Sequence, residues 1–241
     1  MKRHVIRMYK KICSVLSIDP ISGNRIDKIS NLVKVGTNYG GWTIPTDLLA
    51  SDSICYTFGA GEDISFDIEL LSTFQCQVFC YDPTPRALEY VKSITSDFAP
   101  PHFHFFPQGI WYEDSIVKFY SPQNPDHVSH SITNFQKTQK FIEVECKTLK
   151  TILNQNNHEM IDLMKMDIEG AEYQVIDNIC KEDINIGILC VEFHYQKNEI
   201  KKLRSTIKRL IRNGFHLSFV ENDINFTFIN PNYFRNKKIM V

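Results

Sequence analysis

Ile161-Asp162-Leu163-Met164-Lys165-Met166-Asp167-Ile168-Glu169-Gly170-Ala171-Glu172 is the stretch that decides the fold of this chain. Its apolar first half predicts a buried strand that ends in a cluster of carboxylates. Apolar residues then recur at helical spacing, at Ala171, Val175, Ile176 and Ile179. Gly170 is therefore predicted to form the turn. Ligands of open α/β sheets bind at the carboxyl ends of the strands, so Asp167 and Glu169 are expected to face a ligand. The alternative is that both acids only cap the following helix, whose N-terminus favours negative charge.

The overall composition is that of a globular protein. The 241 residues are 43% hydrophobic and 23% charged, which argues against disorder and allows one large domain or two small ones. The formal net charge is -1, whereas binding to nucleic acid usually requires a clear basic excess. We therefore expect no nucleic-acid partner.

The N-terminal segment is locally basic, with Lys2, Arg3, Arg7, Lys10 and Lys11. Apolar residues fall between them at helical spacing, at Val5, Met8, Ile12 and Val15. The pattern predicts a basic amphipathic helix. Such a helix either packs against its own domain or makes weak contact with an anionic membrane surface.

The remaining global features indicate a cytoplasmic protein without a structural metal. No apolar run approaches the ~18 residues of a transmembrane helix, and the N-terminus lacks the apolar core of a signal peptide. Seven cysteines are scattered through mostly apolar runs, where they resemble small buried hydrophobes. Cys76 and Cys80 lack a second ligand pair at zinc-binding spacing, so no zinc site is expected.

Short apolar runs alternate with longer helical patterns from residue 54 onward, which is typical of a parallel sheet built from βαβ units. The predicted strands are residues 53–58, 77–81, 102–107, 161–166 and 186–193. Predicted helices lie between them, and a charged amphipathic helix over 198–212 follows the last one. We therefore predict an α/β fold with a mostly parallel central sheet.

Three further segments complete the predicted organisation. The C-terminal part is expected to form an antiparallel hairpin, residues 215–220 and 224–229, with Glu221-Asn222-Asp223 as the turn. Residues 111–149 interrupt the alternation and are expected to form an inserted hairpin or lid. Residues 1–40 are predicted to be an N-terminal helical cap, and residues 41–241 the main domain.

A glycine turn follows the first predicted strand, in Phe58-Gly59-Ala60-Gly61-Glu62-Asp63. Glycines at such a turn let a ligand approach the backbone closely. The third glycine of the dinucleotide fingerprint is missing, and two acids stand where a pyrophosphate needs amide donors. A cationic or zwitterionic ligand such as S-adenosylmethionine suits this loop better than a phosphate.

An acid ends the second predicted strand, in Tyr81-Asp82-Pro83-Thr84-Pro85. A carboxylate at this position can accept hydrogen bonds from both ribose hydroxyls of a bound nucleoside. It follows the glycine turn by about twenty residues, as in nucleoside-binding α/β folds. Asp82 is therefore a predicted ribose ligand, and the alternative is a capping or turn residue before Pro83.

The glycine turn, the Asp82 segment and Met166-Asp167-Ile168-Glu169-Gly170-Ala171-Glu172 together resemble the FkbM-type S-adenosylmethionine-dependent methyltransferases. The resemblance runs from about Gly40 to Phe228. It implies a class I, Rossmann-like methyltransferase fold and methyl transfer from S-adenosyl-L-methionine to a hydroxyl group of a sugar, a glycan or a secondary metabolite.

The resemblance also assigns cofactor contacts. By position, Gly59 and Gly61 approach the methionine moiety, Asp82 holds the ribose, and Gly109 and Ile110 lie near the adenine. This chain departs from the family pattern at two positions. Thr57 stands where many members have an acid, and Asp63 stands where a third glycine is common. Our hypothesis is that Glu62 or Asp63 compensates by binding the methionine amino group.

Candidate catalytic residues lie at the tips of the fourth and fifth predicted strands. Methyl transfer requires alignment of the acceptor hydroxyl and removal of its proton. His194 is our first candidate for the general base, with Asp167 lining the methyl-transfer site and Glu192 or Asp167 orienting the imidazole. His127 and His130, on the inserted loop, are alternative bases.

Other functions stay open. Asp167, Glu192 and His194 could also ligate a divalent metal, although we predict that no metal is required. A catalytically inactive cofactor-binding module that serves as an interaction partner is the main alternative to an enzyme. A nicotinamide-dependent oxidoreductase is disfavoured by the acidic glycine loop, and the acceptor and the oligomeric state remain undetermined by the sequence.

Overall fold

A computed structural model describes residues 2–96, 101–121, 132 and 138–237, with side chains for residue 8 and from residue 10 onward. The helices are α1 (Lys2–Val15), α2 (Ser65–Phe74), α3 (Pro85–Thr95), α4 (Leu149–Gln155), α5 (Glu172–Lys181), α6 (Ile200–Arg212) and α7 (Pro231–Asn236). The first six strands are β1 (Leu32–Val35), β2 (Trp42–Pro45), β3 (Ile54–Phe58), β4 (Gln77–Tyr81), β5 (Phe103–Phe106) and β6 (Gly109–Ile110). The other six are β7 (Ser115–Tyr120), β8 (Phe141–Lys147), β9 (Met160–Met166), β10 (Asn185–Glu192), β11 (His216–Glu221) and β12 (Asn225–Ile229).

A seven-stranded sheet forms the centre of the fold, in the order β11-β12-β10-β9-β3-β4-β5. Strands β5, β4, β3, β9 and β10 run parallel, whereas β12 is antiparallel to both β10 and β11. This arrangement confirms the predicted Rossmann-like α/β fold with a C-terminal antiparallel hairpin. The carboxyl ends of β3, β4, β9 and β10 therefore meet at one edge of the sheet.

The parallel strands are apolar almost throughout because helices cover both faces of the sheet. All residues of β9 after Met160 are buried, as are six of the eight residues of β10 from Ile186 to Val191. Their side chains divide between two large apolar clusters, one on each side of the sheet. The charged Asp162 and Lys165 are exceptions within β9 and need specific partners.

The predicted inserted segment forms a small second sheet, in which β8 pairs antiparallel with β7 and parallel with β6. Residues 122–131 and 133–137 of this segment lie outside the described residues. Strand β6 directly precedes the predicted segment and consists of Gly109 and Ile110, both of which are buried. The insertion is therefore attached to the edge of the sheet where the predicted adenine contacts lie.

The N-terminal residues are less helical than predicted. The helix ends at Val15, and β1 then pairs antiparallel with β2 across the boundary expected at residue 40. Val35 is the only buried residue of the four in β1, so the strand is held mainly by its pairing with β2. Among the described residues, no helix is long and apolar enough to cross a membrane.

Asp162, in the central strand β9, connects the neighbouring strand β3 to helix α7 and to the residue that follows it. Its side chain is 1% exposed and accepts hydrogen bonds from the Ile54 amide (2.8 Å), the Tyr233 hydroxyl (2.8 Å) and the Lys237 ammonium (2.7 Å). Burial and the charge of Asp162 raise the pKa of Tyr233. Removing this carboxylate leaves three buried or partly buried donors without an acceptor.

We expect Asp162→Ala to lower the free energy of unfolding by about 3–5 kcal/mol, because it removes the buried partner of the Lys237 ammonium. Asp52→Ala is the matched control, because Asp52 is exposed and lies 3.9 Å from the same Lys237 ammonium; its loss should cost no more than about 1 kcal/mol. Urea unfolding followed by circular dichroism measures both changes. Equal stability of the two variants would contradict this role of Asp162.

Candidate functional site

The carboxyl ends of β3, β4, β9 and β10 open into a cleft of about 480 Å³. Side chains from the C-terminal hairpin and from the inserted segment form its other walls. The sequence-predicted residues that line it are Gly59, Gly61, Glu62, Asp63, Asp82, Gly109, Ile110, Asp167 and Glu192. His194 lies behind this lining, in contact with its carboxylates.

Gly59 brings the tips of three strands together. Its backbone has φ +91°, and a Cβ added there would lie 2.0 Å from the carbonyl oxygen of Asp167. Its amide donates to the Tyr81 carbonyl (2.9 Å), and the Asp167 amide donates to the Phe58 carbonyl (3.0 Å). Only glycine fits such a position, and Gly59 also lines the cleft.

Asp82 holds the glycine turn in place. One carboxylate oxygen accepts from the amides of Ala60 and Gly61 (2.9 Å each), and the other accepts from the Thr84 amide and hydroxyl. The side chain is buried at the wall of the cleft. Ordering of the turn is a role that the sequence analysis did not assign to Asp82, and its contact with a ribose stays a prediction.

Glu62 and Asp63 already have partners within the chain. Glu62 pairs with the guanidinium of Arg86 at 2.8 Å. Asp63 accepts from the Thr37 hydroxyl (2.6 Å) and caps α2 through the Ser65 amide (2.8 Å). Burial alone would raise the pKa of Asp63, but these hydrogen bonds outweigh it and lower the pKa. Binding of an amino group by either acid therefore has to compete with these contacts.

The buried carboxylate of Asp67 lies next to Thr57. Many members of the family that the sequence resembles have an acid at the position of Thr57 itself. The Thr57 hydroxyl donates to Asp67 of α2 at 2.5 Å, and Asp67 is 4% exposed. Burial raises the pKa of Asp67, while the Thr57 hydrogen bond and the charge of Lys165 oppose the rise. Asp67 does not line the cleft, so its observed role is to accept the hydrogen bond from Thr57.

Lys165 is a site residue that the sequence analysis missed. Its ammonium is largely buried, lines the cleft and donates to the carbonyl of Gly59 at 2.5 Å. It also lies 3.9 Å from the Asp167 carboxylate. The signal was present in the sequence, because a lysine within an otherwise apolar buried strand requires a polar partner.

His194 lies at the centre of a group of carboxylates. Its Nδ1 is 2.9 Å from Oε1 of Glu172, which also accepts from the Gly170 amide. Its Nε2 is 3.4 Å from Glu169, 3.8 Å from Glu192 and 3.9 Å from Asp167. The buried Glu172 therefore fixes the ring so that Nε2 points toward the acids that line the cleft.

These contacts shift the pKa values of His194 and Glu192, each for a different reason. Burial would lower the pKa of His194, but the Glu172 hydrogen bond and the charges of Glu172, Glu169 and Asp167 raise it to about 10. Burial, together with the charge of Asp167, raises the pKa of Glu192 to about 7. The neighbouring acids therefore favour the charged imidazole of His194, whereas burial favours the protonated form of Glu192.

The same cluster bears on the metal alternative. Asp167, Glu192 and His194 each place one ligand atom so that all three lie within 4.8 Å of one another. A divalent ion is one way to balance these charges, and the imidazolium is another. The prediction that no metal is required remains to be tested, and the alternative bases His127 and His130 lie outside the described residues.

The C-terminal hairpin supplies polar groups that sequence reasoning did not place in the site. Asn222 in its turn and Asn225 at the start of β12 both line the cleft. The Asn222 and Asp223 backbones have φ of 55° and 65°, which allows the tight turn. The side-chain oxygen of Asn225 is buried without a hydrogen-bond partner among the described residues.

The chain matches the model of a protein family described as "Methyltransferase FkbM domain" over residues 56–217. Two curated relatives are both named "Probable methyltransferase-like protein 24". The Rattus norvegicus protein is 24% identical over 70% of this chain, and the Homo sapiens protein is 27% identical over 58% of it. The alignments cover 43% and 32% of those proteins, so the chain spans less than half of their length.

Solved structures resemble this chain at low sequence identity. The Streptococcus mutans protein SMU.1697c, in complex with S-adenosylhomocysteine, is 13% identical, with a TM-score of 0.45 over 75% of this chain and 88% of that one. Aeropyrum pernix fibrillarin with bound S-adenosyl-L-methionine is 9% identical, with a TM-score of 0.43 over 84% and 83%. At these identities the likeness concerns the fold alone.

Glu172→Gln tests the origin of the His194 charge. The substitution keeps the shape of the side chain but removes the negative charge that holds Nδ1, so we expect the pKa of His194 to fall by at least about 1 unit. NMR titration of the histidine ring signals measures the change. Glu182→Gln, on the exposed pair with Lys150, is the control and should leave the titration unchanged. A His194 pKa that stays raised in Glu172→Gln would contradict the assignment.

Proposed function

The chain belongs to the FkbM methyltransferase family, and from that premise we propose that it moves a methyl group from S-adenosylmethionine to a hydroxyl acceptor. The observation that carries the choice of donor is the charge of the cleft. Its carboxylates are those of Glu62, Asp63, Asp82, Asp167, Glu169 and Glu192, while Lys165 is the single cation among its described lining residues.

Such a cleft suits S-adenosylmethionine, which carries a sulfonium and an amino group and only one carboxylate. The excess of negative charge in the cleft attracts the sulfonium and the amino group. The Lys165 ammonium is available to the methionine carboxylate. A nicotinamide dinucleotide would bring its pyrophosphate to the acidic loop after Gly61, where negative charge repels it. The same charges therefore oppose the oxidoreductase alternative.

The chain's own residues would align the acceptor and remove its proton. S-adenosylmethionine supplies a methyl group already activated for displacement. The acceptor hydroxyl needs a base that is unprotonated near neutral pH and within reach of the cleft. Glu192 meets both conditions, with a pKa of about 7 and a place in the lining. His194 was our first candidate from the sequence, but a pKa of about 10 leaves it protonated. We therefore assign the base role to Glu192 and a charge-balancing role to His194.

The acceptor is proposed at the level of chemical class. Hydroxyls of a sugar, a glycan or a secondary metabolite fit a cleft whose outer wall carries the amides of Asn222 and Asn225. Amide groups donate to and accept from hydroxyls. The acceptor needs no charge of its own, and a polyanionic acceptor would be repelled by the lining.

We also propose that the protein works in a reducing compartment such as the cytoplasm. All seven cysteines are free thiols. Six of them are buried and one is partly buried, where they pack as small hydrophobic residues. Such thiols suit a reducing compartment, in which disulfides are rare.

The donor assignment is tested by isothermal titration with S-adenosylhomocysteine. We expect wild-type protein to bind it, and Gly59→Ala to lose at least about tenfold in affinity because the new methyl group collides with the Asp167 carbonyl. Gly23→Ala is the control, since Gly23 also has a positive φ but has open space around it. No binding by the wild type would refute both the enzyme and the inactive module. Binding without methyl transfer to any hydroxyl acceptor would favour the module.

The base assignment predicts a pH profile. Methyl transfer should rise with pH through an apparent pKa near 7, because Glu192 accepts a proton only when ionised. Glu192→Gln should lower kcat by about 10²–10⁴-fold and remove this inflection. Glu62→Gln, a cleft acid already paired with Arg86, should keep it. Turnover should persist in the presence of a chelator. An unchanged profile in Glu192→Gln would reassign the base, and full loss of activity on chelation would support a metal.

A further inference from the structure

Helix α1 carries an apolar stripe that no described part of the chain covers. Met8, Ile12, Val15 and Leu16 are between 49% and 77% exposed. The spacing of four and seven residues puts Met8, Ile12 and Val15 on one face of the helix, and Leu16 directly follows its last residue. Cys13 lies on a different face and is 4% exposed, so the side of α1 that packs on the domain is not the side that bears the stripe.

The segment that bears the stripe is strongly basic. Residues 1–18 include Lys2, Arg3, Arg7, Lys10 and Lys11 and contain no aspartate or glutamate. The chain as a whole has a net charge of -1, so the positive charge is concentrated here. Lys10 is half-exposed and pairs with Asp223, while Lys11 is exposed.

Helix α6 is a second basic element. The Arg204 guanidinium donates to the carbonyl of Ile21 at 2.8 Å, which places α6 against the segment that follows α1. The apolar face of α6 is buried in the core, and its outer face presents Lys201, Lys208 and Arg212 to solvent. Two neighbouring elements thus contribute positive charge.

We propose that the stripe of α1 docks on an anionic lipid bilayer. Apolar side chains on one face of a helix, beside basic residues, match the acyl boundary and the negative headgroups of such a surface. A nucleic acid would use the positive charge but would leave the four apolar residues in water. The protein's own domain already holds the other face of the helix through Cys13.

Docking in this way would place the cleft beside the membrane. The Lys10 ammonium lies 3.0 Å from the Asp223 carboxylate, and the Tyr195 hydroxyl donates to the Asp223 carbonyl. The adjacent Asn222 lines the cleft. Helix α1 is therefore anchored to the turn that forms the rim of the cleft. If the proposed hydroxyl methylation holds, an acceptor carried on a membrane lipid is within reach of the docked protein.

Co-sedimentation with sucrose-loaded vesicles tests the docking. The vesicles are phosphatidylcholine with about 30% phosphatidylglycerol, or phosphatidylcholine alone, at about 0.1 M salt. We expect wild-type protein to bind the anionic vesicles at least about tenfold more strongly than the neutral ones. The quadruple variant Met8→Ser, Ile12→Ser, Val15→Ser and Leu16→Ser should lose at least about tenfold in partitioning. Ile94→Ser with Ile116→Ser is the matched control, since both are exposed apolar residues outside α1, and it should bind as the wild type does.

A second variant, Arg7→Glu with Lys11→Glu, keeps the stripe and reverses local charge. It should also lose binding to the anionic vesicles, and circular dichroism should show all variants folded. Wild-type protein that stays in the supernatant with both vesicles overturns the proposal, as does equal binding by the quadruple variant. A concentration-dependent dimer that the quadruple variant abolishes, without vesicle binding, would assign the stripe to a second copy of the chain. Binding of S-adenosylhomocysteine, measured separately, shows whether a failure concerns docking or the proposed reaction.

Discussion

The contact between Gly59 and the main chain of Asp167 is the constraint on which the site depends. The tips of β3 and β9 lie so close that no Cβ fits between them, and the Asp167 amide is bonded to Phe58. The Lys165 ammonium also stabilises this turn, because it donates a hydrogen bond to the Gly59 carbonyl. A side chain at Gly59 would separate the two strand tips and displace the Asp167 carboxylate, because neither backbone can move without breaking sheet hydrogen bonds.

Crowding of acids at these tips then determines the chemistry. Glu172 is fully buried and needs a positive partner, which it finds in His194. The acids around His194 raise its pKa, and this is the ground on which we propose that it is not the base. Partial burial and the charge of the nearby Asp167 raise the pKa of Glu192 to about 7. The two groups look interchangeable in the sequence, and their neighbours are the reason why we propose different roles for them.

The accuracy with which the sequence predicted each strand or helix depended on the length and regularity of its pattern of apolar residues. The five parallel strands were predicted to within two residues at either end, because continuous apolar runs report burial on both faces of a sheet. Helices α4 and α7, with seven and six residues, were missed because their boundaries depend on the capping residues Thr148 and Asn230 more than on periodicity. The N-terminal cap was overpredicted, since β1 owes its conformation to pairing with β2.

The sequence by itself determined which strand ends carry Gly59, Asp82 and Asp167, and the rule that parallel strands share one edge was enough to bring them to one cleft. Only the tertiary structure decided what these residues do there. Asp82 orders the glycine turn, Lys165 donates to its Gly59 carbonyl, and the surrounding acids raise the pKa of His194. The reason is physical. Periodicity encodes burial and direction, whereas hydrogen-bond partners and pKa values depend on distances of a few ångströms between residues far apart in the chain.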